Sequence, residues 1–196
     1  MWDQRYSSEH YVYGTEPNDF LREQSGLLAK GGRVLCLAEG EGRNAVFLAG
    51  LGMEVTAVDA SEVGLAKARR LADEKGVLIH TEQVDLADYD PGHERWDAVV
   101  SIFCHLPSVV RQRLHQQLVN ALKPGGLLIL EAYRPEQLDY KTGGPSSAEM
   151  MMTEAALKAE LDGLHFDLLE STVRPVIEGT GHTGQGAVVR LLALKA

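Results

Sequence analysis

Apolar residues along this chain recur in two periods. Val34 to Leu37 form an unbroken apolar run, and Met53-Glu54-Val55-Thr56-Ala57-Val58-Asp59, Val77 to Val84 and Trp96 to Phe103 are rich in β-branched and aromatic residues. Each reads as a strand. Further strands are predicted after Gly125-Gly126, ending in Glu131-Ala132-Tyr133-Arg134, and near Phe166–Val173 and Ala187–Lys195. The segments between them keep helical spacing. A helix is expected to start at Asn18 or Asp19, carry Phe20, Leu21, Leu27 and Leu28 on one side and end at Gly31-Gly32. Ala45, Leu48 and Ala49 begin a short one that Gly50 and Gly52 stop. Ser61 caps another, with Leu65, Ala68, Leu71 and Ala72 in register up to Gly76. Pro107 opens a helix carrying Val110, Leu114 and Leu118, and Thr153 caps one reaching Leu161 before Gly163. No such pattern precedes Pro17. Alternation of this kind predicts a doubly wound α/β sheet, largely parallel, with helices on both faces. The last two strands have no helix between them and therefore pair as an antiparallel hairpin.

The turn after the first strand carries the most chemistry. In Ala38-Glu39-Gly40-Glu41-Gly42-Arg43-Asn44-Ala45 the glycines let the backbone turn tightly and approach a ligand closely. Gly40-x-Gly42-x-x-Ala45 also satisfies a dinucleotide fingerprint, so the turn alone does not choose between cofactors. Charge does. Glu39 and Glu41 would repel a pyrophosphate laid on the helix N-terminus, each contact at about 4 Å costing on the order of 4 kcal/mol at an effective dielectric near 20. S-adenosylmethionine has no phosphate and is cationic at sulfur, so acids attract it; two solvated glutamates are the plain alternative. Asp59 ends the second strand, where an acid can accept both ribose hydroxyls; an Asx turn or a charge at the helix N-terminus is the plain alternative. Asp85 follows the third strand and could reach the adenine amino group, with Leu86 packing on the ring.

In order along the chain, the glycine turn at 34–42, Asp59, Asp85, the strand from Trp96 to Phe103 and the Leu122-Lys123-Pro124-Gly125-Gly126 turn resemble a class I S-adenosylmethionine-dependent methyltransferase. The resemblance runs almost end to end and implies a seven-stranded Rossmann-like sheet, mostly parallel with the last strand antiparallel. Two positions depart from the family pattern: Cys36 stands where an acid is usual, and Ala38 replaces the first glycine. The opening Trp2-Asp3-Gln4-Arg5-Tyr6 with Tyr11-Val12-Tyr13-Gly14-Thr15-Glu16-Pro17-Asn18 is similar to the small tellurite-resistance and thiopurine type, in which the N-terminal segment covers the cofactor. The resemblance implies one domain over 1–196, with a lid and helix at 1–30, a cofactor-binding half at 31–134, and substrate loops and a terminal hairpin at 135–196. It implies cofactor contacts from Tyr11, Tyr13, Glu39, Gly40, Gly42, Asn44, Asp59, Ala60, Asp85, Leu86, Ser101 and Phe103.

Composition narrows the partners. The 196 residues are 44% hydrophobic and 24% charged, as in one ordinary globular domain, and carry a net charge of −9. That balance argues against nucleic acid and an anionic membrane face. No apolar run approaches the roughly 20 residues that span a bilayer, and the polar opening is no signal peptide, so a cytoplasmic monomer or homodimer is expected. Cys36 and Cys104 are expected to be reduced, and the seven histidines show no metal spacing. His182 follows Glu178 by four residues in what reads as a glycine-rich loop. Two irregular segments, Arg134 to Met152 and Arg174 to Gly186, are expected to carry the substrate side. His105 is the candidate catalytic residue, orienting a substrate or taking its proton; capping the next helix is the structural alternative. With no clear general base in view, a small soft acceptor, a thiol or metalloid-like anion, is favoured over another small acceptor. An NAD(P) oxidoreductase and a non-catalytic S-adenosylmethionine-binding protein are the rival readings.

Overall fold

The computed structural model describes all 196 residues. A seven-stranded sheet runs through it, from β1 (Arg33–Leu37), β2 (Glu54–Asp59), β3 (His80–Gln83), β4 (Trp96–Ile102) and β5 (Leu122–Tyr133) to β6 (Leu164–Glu178) and β7 (His182–Lys195). The strand order is β3-β2-β1-β4-β5-β7-β6; β1 to β5 are mutually parallel, and β7 is antiparallel to both of its neighbours. This is the predicted doubly wound sheet with its antiparallel last strand. Successive residues of β1 supply two cores: Leu35 and Leu37 pack with Leu114, Leu118, Leu157 and Leu161, while Val34 and Cys36 pack with Phe20, Leu48, Leu65 and Leu71. Helices therefore cover both faces: α5 (Ser108–Ala121) and α6 (Glu154–Glu160) on one, α2 (Asp19–Gln24), α3 (Arg43–Gly50) and α4 (Glu62–Lys75) on the other. The predicted caps form, Ser61 Oγ accepting from Gly64 N and Thr153 Oγ1 from Ala156 N. No helix is long and apolar enough to cross a membrane.

Four expectations are corrected. A short helix, α1 (Trp2–Tyr6), precedes Pro17. The helix at Asp19 stops at Gln24 and continues only as a 3₁₀ turn, because Ser25 Oγ donates to Arg22 O and competes with the helical ladder; Leu27 is left exposed. The third strand shortens to His80–Gln83, since Gly76 at φ +66° closes α4 with Val77 N donating to Ala72 O. The largest change is at Arg174 to Gly186, which is no irregular loop. Its residues pair as ladder, Arg174 opposite Gly186, Val176 opposite Gly184 and Glu178 opposite His182. The glycines there serve close packing: a Cβ on Gly186 would lie 2.8 Å from Val176 Cγ2 and 3.0 Å from Tyr133.

Candidate active site

Strand order reverses between β1 and β4, and in doubly wound sheets the ligand crevice lies at the carboxyl ends of the strands flanking such a switch point. The residue just after each strand is left-handed although neither is glycine: Ala38 at φ +47° and Phe103 at φ +51°. Such conformations cost about 1–3 kcal/mol each and persist where surroundings enforce them. Phe103 N donates to Glu131 O at 2.8 Å, and the adjoining Glu39 N donates to Val58 O at 3.1 Å.

Side chains order the glycine turn. Asp59, at the end of β2, accepts from Gly40 N through Oδ2 at 2.9 Å and from Ser61 N through Oδ1 at 2.8 Å. Glu39 Oε1 accepts from Asn44 N and Ala45 N at 2.9 and 2.7 Å, so this carboxylate holds the first turn of α3 and performs the ordering that the Cys36 position lacks. Burial raises the Glu39 pKa to about 7 against the pull of those bonds, and burial likewise raises that of Asp59. Glu41 points elsewhere, accepting from Val12 N at 2.8 Å and pairing with buried Lys67 of α4. The two glycines differ in what they face. A Cβ on Gly42 would lie 2.5 Å from Ala68 Cβ, so this glycine permits α3 and α4 to meet and its open side is not the crevice. A Cβ on Gly40 would instead lie 2.5 Å from the hydroxyl of Tyr6, a buried residue of α1 that sequence reasoning left out of the site.

Around the end of β3 the predicted groups separate. Asp85 is exposed, with Oδ1 accepting from Ala87 N at 2.8 Å. Leu86 is buried in the core with Leu37 and Val58, and Ser101 is buried within β4. Ala60 is exposed, its carbonyl accepting from Gln83 Nε2.

The N-terminal segment crosses this crevice. Lys67 Nζ donates to the carbonyls of Ser8 and His10 at 3.0 and 2.7 Å, and Asp3 Oδ1 accepts from the Ser61 hydroxyl. Tyr11 donates to Lys67 O at 3.2 Å and lies beneath the Lys67 ammonium, which makes it an anchor on α4. Tyr13 reaches the other side, its ring 4.8 Å from that of His182 and its hydroxyl accepting from Arg5. Val12 O accepts from Thr180 N and Gly181 N, which joins the segment to the β6–β7 tip.

On the acceptor side, Phe103, His105, Tyr133 and His182 form an aromatic cluster with ring centroids 4.6–6.2 Å apart. His105 is fixed at both nitrogens: Nδ1–H donates to Phe103 O at 3.1 Å and Nε2 accepts from Tyr133 N at 3.0 Å. Burial, then the neighbouring His182, pushes its pKa down to about 4. The ring ties the ends of β4 and β5 together and has no lone pair left for a substrate proton. His182 Nδ1–H donates to Glu178 Oε2 at 2.8 Å, and Glu178 also accepts from Arg43 Nη2 at 2.7 Å and Asn18 Nδ2 at 2.9 Å. Burial alone would raise the Glu178 pKa, but the His182 bond and the Arg43 charge hold it down to about 2. Asn18 Nδ2 donates also to Glu131, a fully buried carboxylate paired with Arg174 and Arg190. The Tyr133 hydroxyl is buried with no hydrogen-bond partner.

Against known proteins, residues 34–126 match the family model described as a methyltransferase domain. The chain is 33% identical over 101 residues, 51% of its length and 40% of the relative's, to an uncharacterized methyltransferase of Bacillus subtilis. It is 33% identical over 136 residues to the glycine/sarcosine N-methyltransferase of Halorhodospira halochloris, covering 66% of this chain and 47% of that one. It thus spans less than half the length of these curated relatives. TehB from Haemophilus influenzae superposes over 100% of this chain and 66% of its own with a TM-score of 0.76 at 19% identity, a likeness of fold. Residues 34–126 therefore carry a methyltransferase-domain signature, set in a sheet that is shared with solved S-adenosylmethionine-dependent methyltransferases.

Proposed function

We propose that the chain is an S-adenosylmethionine-dependent methyltransferase acting on a small molecule. The observation that carries this is the pair of buried carboxylates at the glycine turn, Glu39 and Asp59, both with pKa values raised by burial. A cationic ligand relieves that burden, whereas a pyrophosphate would add to it. The residues also fit the group: Asp59 makes two hydrogen bonds and keeps acceptor capacity for two ribose hydroxyls, and the face of Gly40 is covered only by the hydroxyl end of the Tyr6 side chain, which can move. Exposed Asp85 is available to the adenine amino group. S-adenosylmethionine supplies a methyl on an already activated sulfonium, so the protein's part is to position and to exclude water. Phe103, held left-handed by Glu131, and His105, locked between two backbone groups, shape the crevice floor. The N-terminal segment and the β6–β7 tip close over it.

The opening residues, with the likeness of fold to TehB, support placement in the small tellurite-resistance and thiopurine type. The net charge of −9 supports a small acceptor over nucleic acid. Calorimetry with S-adenosylmethionine, S-adenosylhomocysteine and NADH tests the reading. We expect micromolar binding of the adenosyl sulfur compounds, roughly −8 kcal/mol, and none of NADH. Asp59→Ala should weaken binding by about 2–3 kcal/mol while circular dichroism still shows a folded chain. Tight NADH binding alone would overturn the assignment.

A further inference from the structure

Sequence spacing offered no general base, and on that ground pointed to a soft acceptor. The folded chain brings His182, read from sequence only as a loop residue, to the switch point. His182 lies against Phe103, the residue that follows β4 at the switch point, and against Tyr133 at the end of β5, with ring centroids at 4.6 and 5.4 Å. Glu178 holds its Nδ1–H at 2.8 Å, and Arg43 and Asn18 hold Glu178 in turn. The tautomer is thereby set, with the lone pair on Nε2, which no protein group bonds. This is the arrangement of a base whose orientation a third group fixes. Beside it the Tyr133 hydroxyl is fully buried and unpartnered, a donor aimed into the same cluster, and burial keeps it protonated. An orphaned buried hydroxyl in a native fold calls for an explanation, and here a bound acceptor supplies one.

We infer that His182 is the general base of the methyl transfer and that the acceptor is a small, flat molecule bearing an O–H or N–H, hydrogen-bonded by Tyr133; this rests on the methyltransferase reading above. The acceptor's proton passes to His182 Nε2, its lone pair forms the new bond to the methyl carbon, and the electron pair of the broken C–S bond stays on sulfur. Glu178 stabilises the imidazolium until the proton leaves to solvent. The rings of Tyr13, Phe103 and Tyr133 offer the acceptor apolar walls. Burial lowers the His182 pKa, so the ring is neutral and ready at neutral pH. The amine named in the Halorhodospira relative's activity belongs to the same proton-bearing class.

The groups facing His182 are Glu178 and Arg174 of β6, Arg43 of α3, Tyr13 of the N-terminal segment, Tyr133 of β5 and His105. All are the same whether the bound compound is the sulfonium or its neutral thioether product, so a difference between the two complexes reports the sulfonium itself. The His182 imidazole of the full chain, assigned by loss of its resonance in His182→Gln, is titrated by NMR with saturating S-adenosylmethionine and then S-adenosylhomocysteine. A unit charge within roughly 10 Å should lower its pKa by about one unit in the first complex relative to the second. Equal titration overturns the inference whatever the acceptor. Failure to bind either compound sinks the methyltransferase reading, and the inference with it. In a second arm, phenol and pentafluorophenol, the latter already ionised at neutral pH, are offered as methyl acceptors. His182→Gln should lower kcat/KM on phenol by at least about 100-fold, and on pentafluorophenolate less than tenfold. Equal losses on both would show that His182 only packs.

Discussion

At the scale of single residues, Gly40 and Gly42 stand two positions apart and answer to different neighbours. Gly42→Ala puts a methyl 2.5 Å from Ala68 Cβ and 2.7 Å from Ala68 Cα, at φ +90°. Backbone cannot swing aside, so we expect a loss of about 2–4 kcal/mol from overpacking and left-handed strain, read as a lower denaturant midpoint. Gly40→Ala meets the far end of the Tyr6 side chain, which can move. Its main effect should fall on cofactor affinity, measured by calorimetry, with a smaller change in midpoint. If the two variants shift stability equally, the assignment of Gly42 to helix packing and Gly40 to the crevice fails. Ala38 and Phe103 carry strain of the same left-handed kind without glycine's freedom, and both border the crevice.

At the scale of elements, one ammonium gathers several of the contacts that hold the N-terminal segment. Lys67 is buried and satisfied by two close carbonyls of that segment and by Glu41. Lys67→Met keeps the stem's bulk but leaves Glu41 a buried carboxylate without its cation and the carbonyls of Ser8 and His10 without their donor. We expect limited proteolysis to cut between residues 7 and 14 at least tenfold faster, with a sheet that still folds; an unchanged cutting rate would show that packing of Tyr6 and Val12 alone seats the segment. Local pattern made the strands and the caps at Ser61 and Thr153 legible, because apolar runs and capping serines act within a few residues. It likewise placed Gly40 and Asp59, since strand ends in such sheets fall at the crevice. The pattern was blind to Lys67 and to the pairing of Arg43 with Glu178. A lysine between alanines on α4 reads as a solvated face, and its partners lie 57 and 59 residues away. Arg43 and Glu178 meet across 135 residues. The glycines at 179, 181, 184 and 186 read as irregular chain, although at 181 and 186 they allow tight contact with Tyr13 and Tyr133.

At the scale of the whole molecule, buried groups with shifted pKa values set how stability depends on pH, Glu178, Glu39 and His105 foremost; lowered His182 acts in the sense of His105 and raised Asp59 in the sense of Glu39. Glu178 is held down to about 2 from an ordinary 4.5, so its contribution is present above about 4.5 and is lost as pH falls toward 2, roughly 3 kcal/mol in all. Glu39, raised to about 7, acts oppositely: stability falls as pH rises from about 4.5 to 7. His105, pushed down to about 4 from 6.5, makes stability rise between those values. Between about 4.5 and 6.5 the Glu39 and His105 contributions oppose one another, and below 4.5 Glu178 prevails. Denaturant titrations should therefore give a plateau near pH 4.5–6.5 and a steep decline below it. Glu39→Gln, which can still accept from Asn44 N and Ala45 N, should convert the plateau into a rise toward neutral pH. A variant curve parallel to the parent's would show that Glu39 is not the buried acid described here.

The bond from Thr180 N to Val12 O, spanning 168 residues, has a temporal meaning. During synthesis the glycine turn, Asp59 and Lys67 all leave the ribosome long before Glu178 and His182 do. A nascent chain grown only through β5 already has the glycine turn, Asp59 and the N-terminal segment with its Lys67 anchor, but it lacks the hairpin that supplies Glu178 and His182 and that Val12 O joins. The side of the site that faces Tyr13 is therefore completed last, when the final hairpin brings His182 against it.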